Sequence, residues 1–254
     1  MSVNRGSDMA RDRVDQILPG QGGSDYERYL RTDELLSLQK TADEWVHRDE
    51  LLFQTVHQSS ELWLKLATQE VETATEHLRD ARLDRAVRLL RRAVHCVRVV
   101  TDQLHVLEHV CPWEYHVLRR RLGHGSGFDS PGFRRVAQVS PPLGQTYAGL
   151  LARRALTIAD VYRHGPEDLY QLAELLLEWD ERIGLWRFTH LQVVERIIGG
   201  GTIGTQGTPV TVLASRVGHR YYPELWNARN ELTEIADAQS GGPPHLSGRA
   251  PESP

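Results

Sequence analysis

Apolar positions recur three and four residues apart through nearly all of the middle of the chain, the spacing of one face of a helix. Leu51, Val56, Ser59 and Trp63 read as one stripe, Leu83, Val87, Leu90 and Val94 as a second, and Leu172, Leu175, Leu176 and Trp179 as a third. No alternating run long enough for a half-buried strand intervenes. Breaks are expected at Cys111-Pro112, from Gly123 to Gly132, at Pro141-Pro142, at Gly165-Pro166 and from Gly199 to Pro209, because glycine and proline end helical patterns. The pattern predicts a single all-α helical-bundle domain with two long helices near its amino-terminal half. Residues 1–24 are polar and Gly-rich, and residues 240–254 are rich in Pro, Gly and Ser, so both are expected to be tails flanking a folded domain over 25–239.

Composition narrows the choice of partners. The 254 residues are 40% hydrophobic, enough for one sizeable core. With 30 basic against 34 acidic side chains the net charge is -4, which makes neither nucleic acid nor an anionic membrane the expected partner. Only Lys40 and Lys65 among the 30 basic residues are lysines, a skew that reflects genome composition more than anion recognition. Arg82, Arg85, Arg88 and Arg92 are helically spaced with Asp80 and Asp84 interleaved and no aromatic platform beside them, so they read as a solvated face. No run of about 18 apolar residues is present, and the amino terminus lacks a secretory signal's apolar core, so a cytoplasmic protein is expected. Two cysteines, Cys96 and Cys111, are too few for a disulfide framework. Twelve histidines justify a search for ligand sets.

Three segments respond to that search. His105-Val-Leu-Glu108-His109 has the H-x-x-E-H spacing of some zinc sites, but it closes at Cys111-Pro112 and is read as a helix end. Phe53 and His57, four apart, share a helical face; a lone histidine there is either a satisfied core residue or a functional one. His190 lies in the apolar helical stretch Trp186 to Gly199, where a core histidine competes with a heme axial ligand.

The wording of these segments resembles the tryptophan 2,3-dioxygenase family. Phe53-Gln-Thr-Val-His57-Gln-Ser-Ser-Glu61-Leu-Trp63 is similar to the family's signature. Further blocks follow in the family's order: Tyr26-Glu-Arg-Tyr29-Leu30 with Leu35 to Gln39, Tyr115 to Arg119 with Ser126-Gly127-Phe128, His190 to Gly199, and Tyr222-Pro223-Glu224-Leu225-Trp226. The resemblance runs from Tyr26 to Leu232 and implies an all-α homotetrameric enzyme. It implies ferrous heme b held by His190, with Ser126 near the heme edge, although Ser-Gly also reads simply as a turn. It further implies that His57, as the catalytic histidine, accepts the indole N–H, that Phe53 and Tyr115 line the indole pocket, and that Arg119 and Thr205 hold the amino-acid end. Tyr26, Tyr29 and Leu30 would reach in from a neighbouring subunit.

The implied reaction adds dioxygen across the indole C2–C3 bond of L-tryptophan or a close derivative, giving an N-formylkynurenine-type product. The alternative is insertion of one oxygen atom, giving an oxindole or hydroxylated product. Two departures from the family pattern bear on that choice. Gly204-Thr205-Gln206-Gly207-Thr208-Pro209-Val210 replaces a more glycine-rich loop, and Asp129 stands where the family carries glutamine.

Overall fold

The computed structural model describes residues 16–240; the parts of the expected tails at 1–15 and 241–254 lie outside them. Among the described residues the architecture is all-α, with no extended pairing beyond one bridge between Ile203 and Pro209. Between Trp45 and Val46 the chain divides into two compact units.

The first unit carries two short helices, α1 (Asp25–Leu30) and α2 (Thr32–Leu36). Ser24 caps α1 by accepting the Glu27 N–H at 3.2 Å. The Asp25 carboxylate accepts the Ile17 and Leu18 N–H groups, each at 2.9 Å, and these backbone donors hold its pKa below the usual carboxylate range. Arg31, at φ 54°, makes the left-handed turn between the helices. Neither helix buries a residue.

The second unit contains α3 (Asp49–Arg79), α4 (Leu83–Asp102), α5 (Leu104–Leu107), α6 (Pro112–Arg119), a 3-10 turn (Gly127–Asp129), α7 (Pro131–Arg153), α8 (Ile158–His164), α9 (Glu167–Ile198), α10 (Thr211–Val217) and α11 (Pro223–Ser240). Acidic residues open the two longest helices, Asp49 and Glu50 on α3 and Glu167 and Asp168 on α9, complementing the positive end of each dipole. Ala81, at φ 56°, ends α3, and the Arg82 N–H closes the turn on the His77 carbonyl at 2.8 Å. Gly199, at φ 85°, ends α9 in a conformation that suits glycine.

Helices α3, α4, α7 and α9 enclose the main core. The second and third stripes of the sequence are buried throughout, and Trp179, Leu90, Leu172 and Leu176 are fully enclosed; each such Leu contributes roughly 2 kcal/mol by its burial. The first stripe is out of phase. Of its members Val56 is buried but Leu51 and Trp63 are exposed, and α3 continues the inward face with Ser60, Leu64, Ala67, Val71, Ala74 and Leu78. Small Ser and Ala let neighbouring helices approach there, so the inward face is less apolar than the sequence suggests.

The break expected at Pro141-Pro142 does not occur, and α7 runs through both prolines. Each proline leaves one carbonyl a turn earlier unpaired. Those carbonyls belong to Ala137 and Gln138, which face solvent, so water can satisfy them. At its start, α7 lies so close to α3 that a Cβ on Gly132 would come within 2.8 Å of Leu64.

Asp180 ties α11 to this core. Its fully buried carboxylate accepts the Tyr221 N–H at 3.0 Å, the Tyr222 N–H at 3.3 Å and the Trp226 indole N–H at 2.9 Å. On the neighbouring turn the Trp179 indole donates to Ser140 Oγ at 2.9 Å, and the Tyr222 hydroxyl donates to the Ser140 carbonyl at 3.0 Å. Asp180→Ala strands three donors in the interior, so it should lower stability by about 2–5 kcal/mol in urea unfolding. A loss under about 1 kcal/mol would contradict the role given to this carboxylate.

Candidate active site

Two histidines head two aromatic stacks. On α3 the Phe53 ring stacks on His57 with centroids 4.0 Å apart, and Tyr115 of α6 lies 6.3 Å beyond Phe53. On α9 the Trp186 ring stacks on His190 at 4.9 Å and 10°, and Phe133 of α7 packs on Trp186 at 3.7 Å. In each case the aromatic residue precedes its histidine by four positions, one helical turn. Trp186 and Phe133 were missed as site residues in the sequence. The i, i+4 spacing that singled out Phe53 and His57 would have found Trp186.

Both imidazoles are held neutral. His57 opens to solvent on one side, yet enough protein surrounds it for desolvation to push its pKa below the ordinary 6.5. Its Nδ1 lies 2.7 Å from the Phe53 carbonyl. A carbonyl can only accept, so Nδ1 carries the proton and Nε2 presents a lone pair. Burial first, and the nearby His57 imidazole second, lower the His190 pKa from 6.5 to about 4. Neither nitrogen of His190 is hydrogen-bonded among the described residues. A Cβ built on Gly127 would lie 4.0 Å from His190 Nε2, so the absent side chain leaves space beside that nitrogen.

A small apolar cluster joins the two helices: Val56 from α3, Leu104 and Leu107 from α5, and Val193 and Ile197 from α9. The four-residue α5 packs against both α3 and α9. The 3-10 turn is set by α3 as well. Glu61, one turn after His57, accepts the Ser130 hydroxyl and, at 2.8 Å, the Gly132 N–H. Ser126 caps that turn, its Oγ accepting the Phe128 N–H at 3.3 Å while its own N–H donates to Asp129 at 3.2 Å.

The rim carries the polar groups. Tyr115 and Arg119 are a turn apart on α6, and burial raises the Tyr115 pKa while the Arg119 charge opposes that rise. Arg119 is half-buried and donates to the Ile203 carbonyl, whereas Arg120 and Arg121 are exposed. The Thr205 hydroxyl donates to the Gly125 carbonyl. Tyr26, Tyr29 and Leu30 lie exposed on α1 of the first unit.

The H-x-x-E-H string makes no ligand set. Its helix, α5, stops at Leu107, so Glu108 and His109 fall in the following turn. His105 Nδ1 is paired with Glu108 at 2.6 Å, and Glu108 with Arg196 at 3.3 Å. His47, Asp49 and Glu114 gather elsewhere in metal-binding proximity. There the Asp49 N–H donates to His47 Nδ1 at 3.2 Å and Nε2 faces Glu114 at 3.5 Å, which satisfies the ring without an ion.

Comparison with known proteins identifies the family. Residues 13–145 match the family described as tryptophan 2,3-dioxygenase. The chain belongs to the tryptophan 2,3-dioxygenase family. It is 32% identical over 266 residues to the tryptophan 2,3-dioxygenase of Myxococcus xanthus, covering 84% of this chain and 91% of that protein. Identity to the Caulobacter vibrioides protein of the same name is 34% over 261 residues, covering 82% and 98%. With that of Saccharopolyspora erythraea it is 31% over 261 residues, covering 82% and 92%.

The two depressed histidines make stability depend on pH. The unfolded chain takes up protons near pH 6.5, while folded His190 refuses one until about pH 4. Stability contributed by the neutral ring is therefore present above pH 6.5 and is lost as pH falls toward 4. Without added cofactor, His190→Phe should flatten the fall in urea midpoint between pH 7 and pH 4 by about one proton's worth of slope. Parallel pH profiles would contradict the buried, neutral state.

Proposed function

We propose that this protein is a heme-dependent oxygenase that adds both atoms of dioxygen across the indole C2–C3 bond of L-tryptophan, giving an N-formylkynurenine-type product. The observation that carries the reading is two neutral histidines, one from α3 and one from α9, each stacked on an aromatic ring and near enough for one to act on the other's charge. Atoms balance without an added reductant, since tryptophan and dioxygen together make the product. The named relatives are dioxygenases, and the one-oxygen outcome gains no support from them.

His190 would hold the iron of heme b. Its ring is neutral, its nitrogens make no hydrogen bond among the described residues, and Gly127 leaves room beside Nε2. Ser126 would stand at the heme's edge. When bound, the heme supplies the activation of dioxygen, chemistry that no side chain here can perform.

The remaining work is positional and belongs to this chain. His57 Nε2 accepts the indole N–H, which orients the ring without removing its proton. Phe53 and Tyr115 wall the ring. Arg119 exchanges the Ile203 carbonyl for the substrate carboxylate, whose two oxygens match its planar fork. Thr205 holds the other end of the amino acid. This reading takes residues 25–239 as one catalytic domain in a cytoplasmic homotetramer. Tyr26, Tyr29 and Leu30, which α1 leaves uncovered, complete the pocket of a neighbouring subunit.

Turnover of tryptophan by the heme-loaded protein under oxygen-18 gas tests the reaction. Two labelled oxygens per product molecule are expected, and one would point to the oxindole or hydroxylated outcome.

Anchoring and orientation should fail differently. Arg119→Ala strands a desolvated carboxylate, which costs about 2–5 kcal/mol, so KM for tryptophan should rise more than tenfold and Arg119→Lys should restore little. Losing the neutral hydrogen bond of His57 costs about 1 kcal/mol. His57→Ala should therefore keep heme and partial turnover, with a smaller penalty on 1-methyltryptophan, which has no N–H to donate. Equal turnover of tryptamine and tryptophan by the unmodified protein would remove the carboxylate role from Arg119.

A further inference from the structure

The segment from Gly199 to Pro209 has no buried apolar side chain to anchor it. None of its residues is buried, and Val210 is the first to be enclosed. Internally it is a small closed turn: Gly204 N–H donates to the Thr208 carbonyl at 2.8 Å, Gly207 N–H to the Gly204 carbonyl at 3.0 Å, and Val210 N–H to the Thr202 carbonyl at 3.1 Å. Gly207, at φ 77°, permits the tight reversal. These bonds close the segment on itself, but they do not fix where it lies.

Its position is set by three bonds to the wall opposite. Arg119 donates to the Ile203 carbonyl, Thr205 donates to the Gly125 carbonyl, and Gln206 Nε2 donates to Asp129 Oδ2 at 2.5 Å. The first two use side chains that the proposed reaction needs for its substrate, so both are weakened when the amino acid binds. Gln206 and Asp129 have no such second duty. Asp129 Oδ2 also accepts the Ser126 N–H at 3.2 Å, so the same oxygen ties the segment to the turn whose Gly127 lies beside His190. A charge-assisted bond from a neutral amide is among the stronger bonds an exposed loop can make.

We propose that Gln206 and Asp129 form a latch, a positioning pair that keeps the Gly199–Pro209 segment over the site while Arg119 and Thr205 turn to the substrate. The consequence for substrate affinity rests on the function proposed above; the latch itself does not. Neither residue touches the reacting atoms. The pair acts through the placement of Thr205, the neighbour of Gln206.

Charge substitution and its reversal test this on the full-length, heme-loaded protein. Gln206→Glu sets two carboxylates against each other with almost no change of shape. It should speed hydrogen exchange in peptides spanning 199–210 about tenfold, and raise KM for tryptophan by more than it lowers kcat. Adding Asp129→Asn removes one of the two facing charges while its amide oxygen keeps the Ser126 N–H, and should recover part of the protection and of the KM. Unchanged exchange in Gln206→Glu, or no recovery in the double variant, would overturn the latch. Protection that is lost and recovered as expected, with no tryptophan turnover in any form, would uphold the latch and overturn the functional reading instead.

Discussion

An aromatic ring stacked on a histidine one helical turn later occurs once on α3 and once on α9, and the site depends on that pairing. Phe53 and Trp186 remove water from one side of each imidazole. The missing solvation makes a positive charge costly, and the imidazole settles in its neutral form with a lone pair to offer. For His57 the Phe53 carbonyl decides which nitrogen offers it. For His190 there is no such partner among the described residues, and Nε2 has space beside it. One packing device thus gives two histidines of different chemical character, because their backbone surroundings differ.

Much of this was legible in the sequence, for physical reasons. Helical periodicity reports contacts within a turn, so the stripes on α4 and α9 and the Phe53–His57 pair followed from spacing. Where the outcome depends on a neighbour, spacing misleads. The inward face of α3 is chosen by the close approach at Gly132, so Leu51 and Trp63 fall outside it. Continuation through Pro141-Pro142 depends on which carbonyls face water, a property of the packed bundle. The bond between Gln206 and Asp129 spans 77 positions and has no local signature at all, although both residues stood out as departures from the family's wording.

The resembling blocks also divide by what they do. Tyr222 to Trp226 is among the blocks that resemble the family, yet its side chains and backbone spend their hydrogen bonds on Asp180 and Ser140. A buried carboxylate needs several donors to be tolerated, and this block supplies them. Its part is to hold α11 against the bundle. Resemblance alone does not separate such structural blocks from chemical ones; the bonding pattern does.

The small α5 has an outsized geometric effect. Four residues long, it packs on both α3 and α9, so its thickness contributes to the gap between the helices that carry the two histidines. Side-chain substitutions on the long helices change what lines that gap. Lengthening or shortening the connection around α5 by one residue would rotate Leu104 and Leu107 by about 100° and change its width. Divergence in the size of molecule admitted is therefore open to insertions and deletions in a short connector, a kind of variation that leaves both histidine-bearing helices untouched.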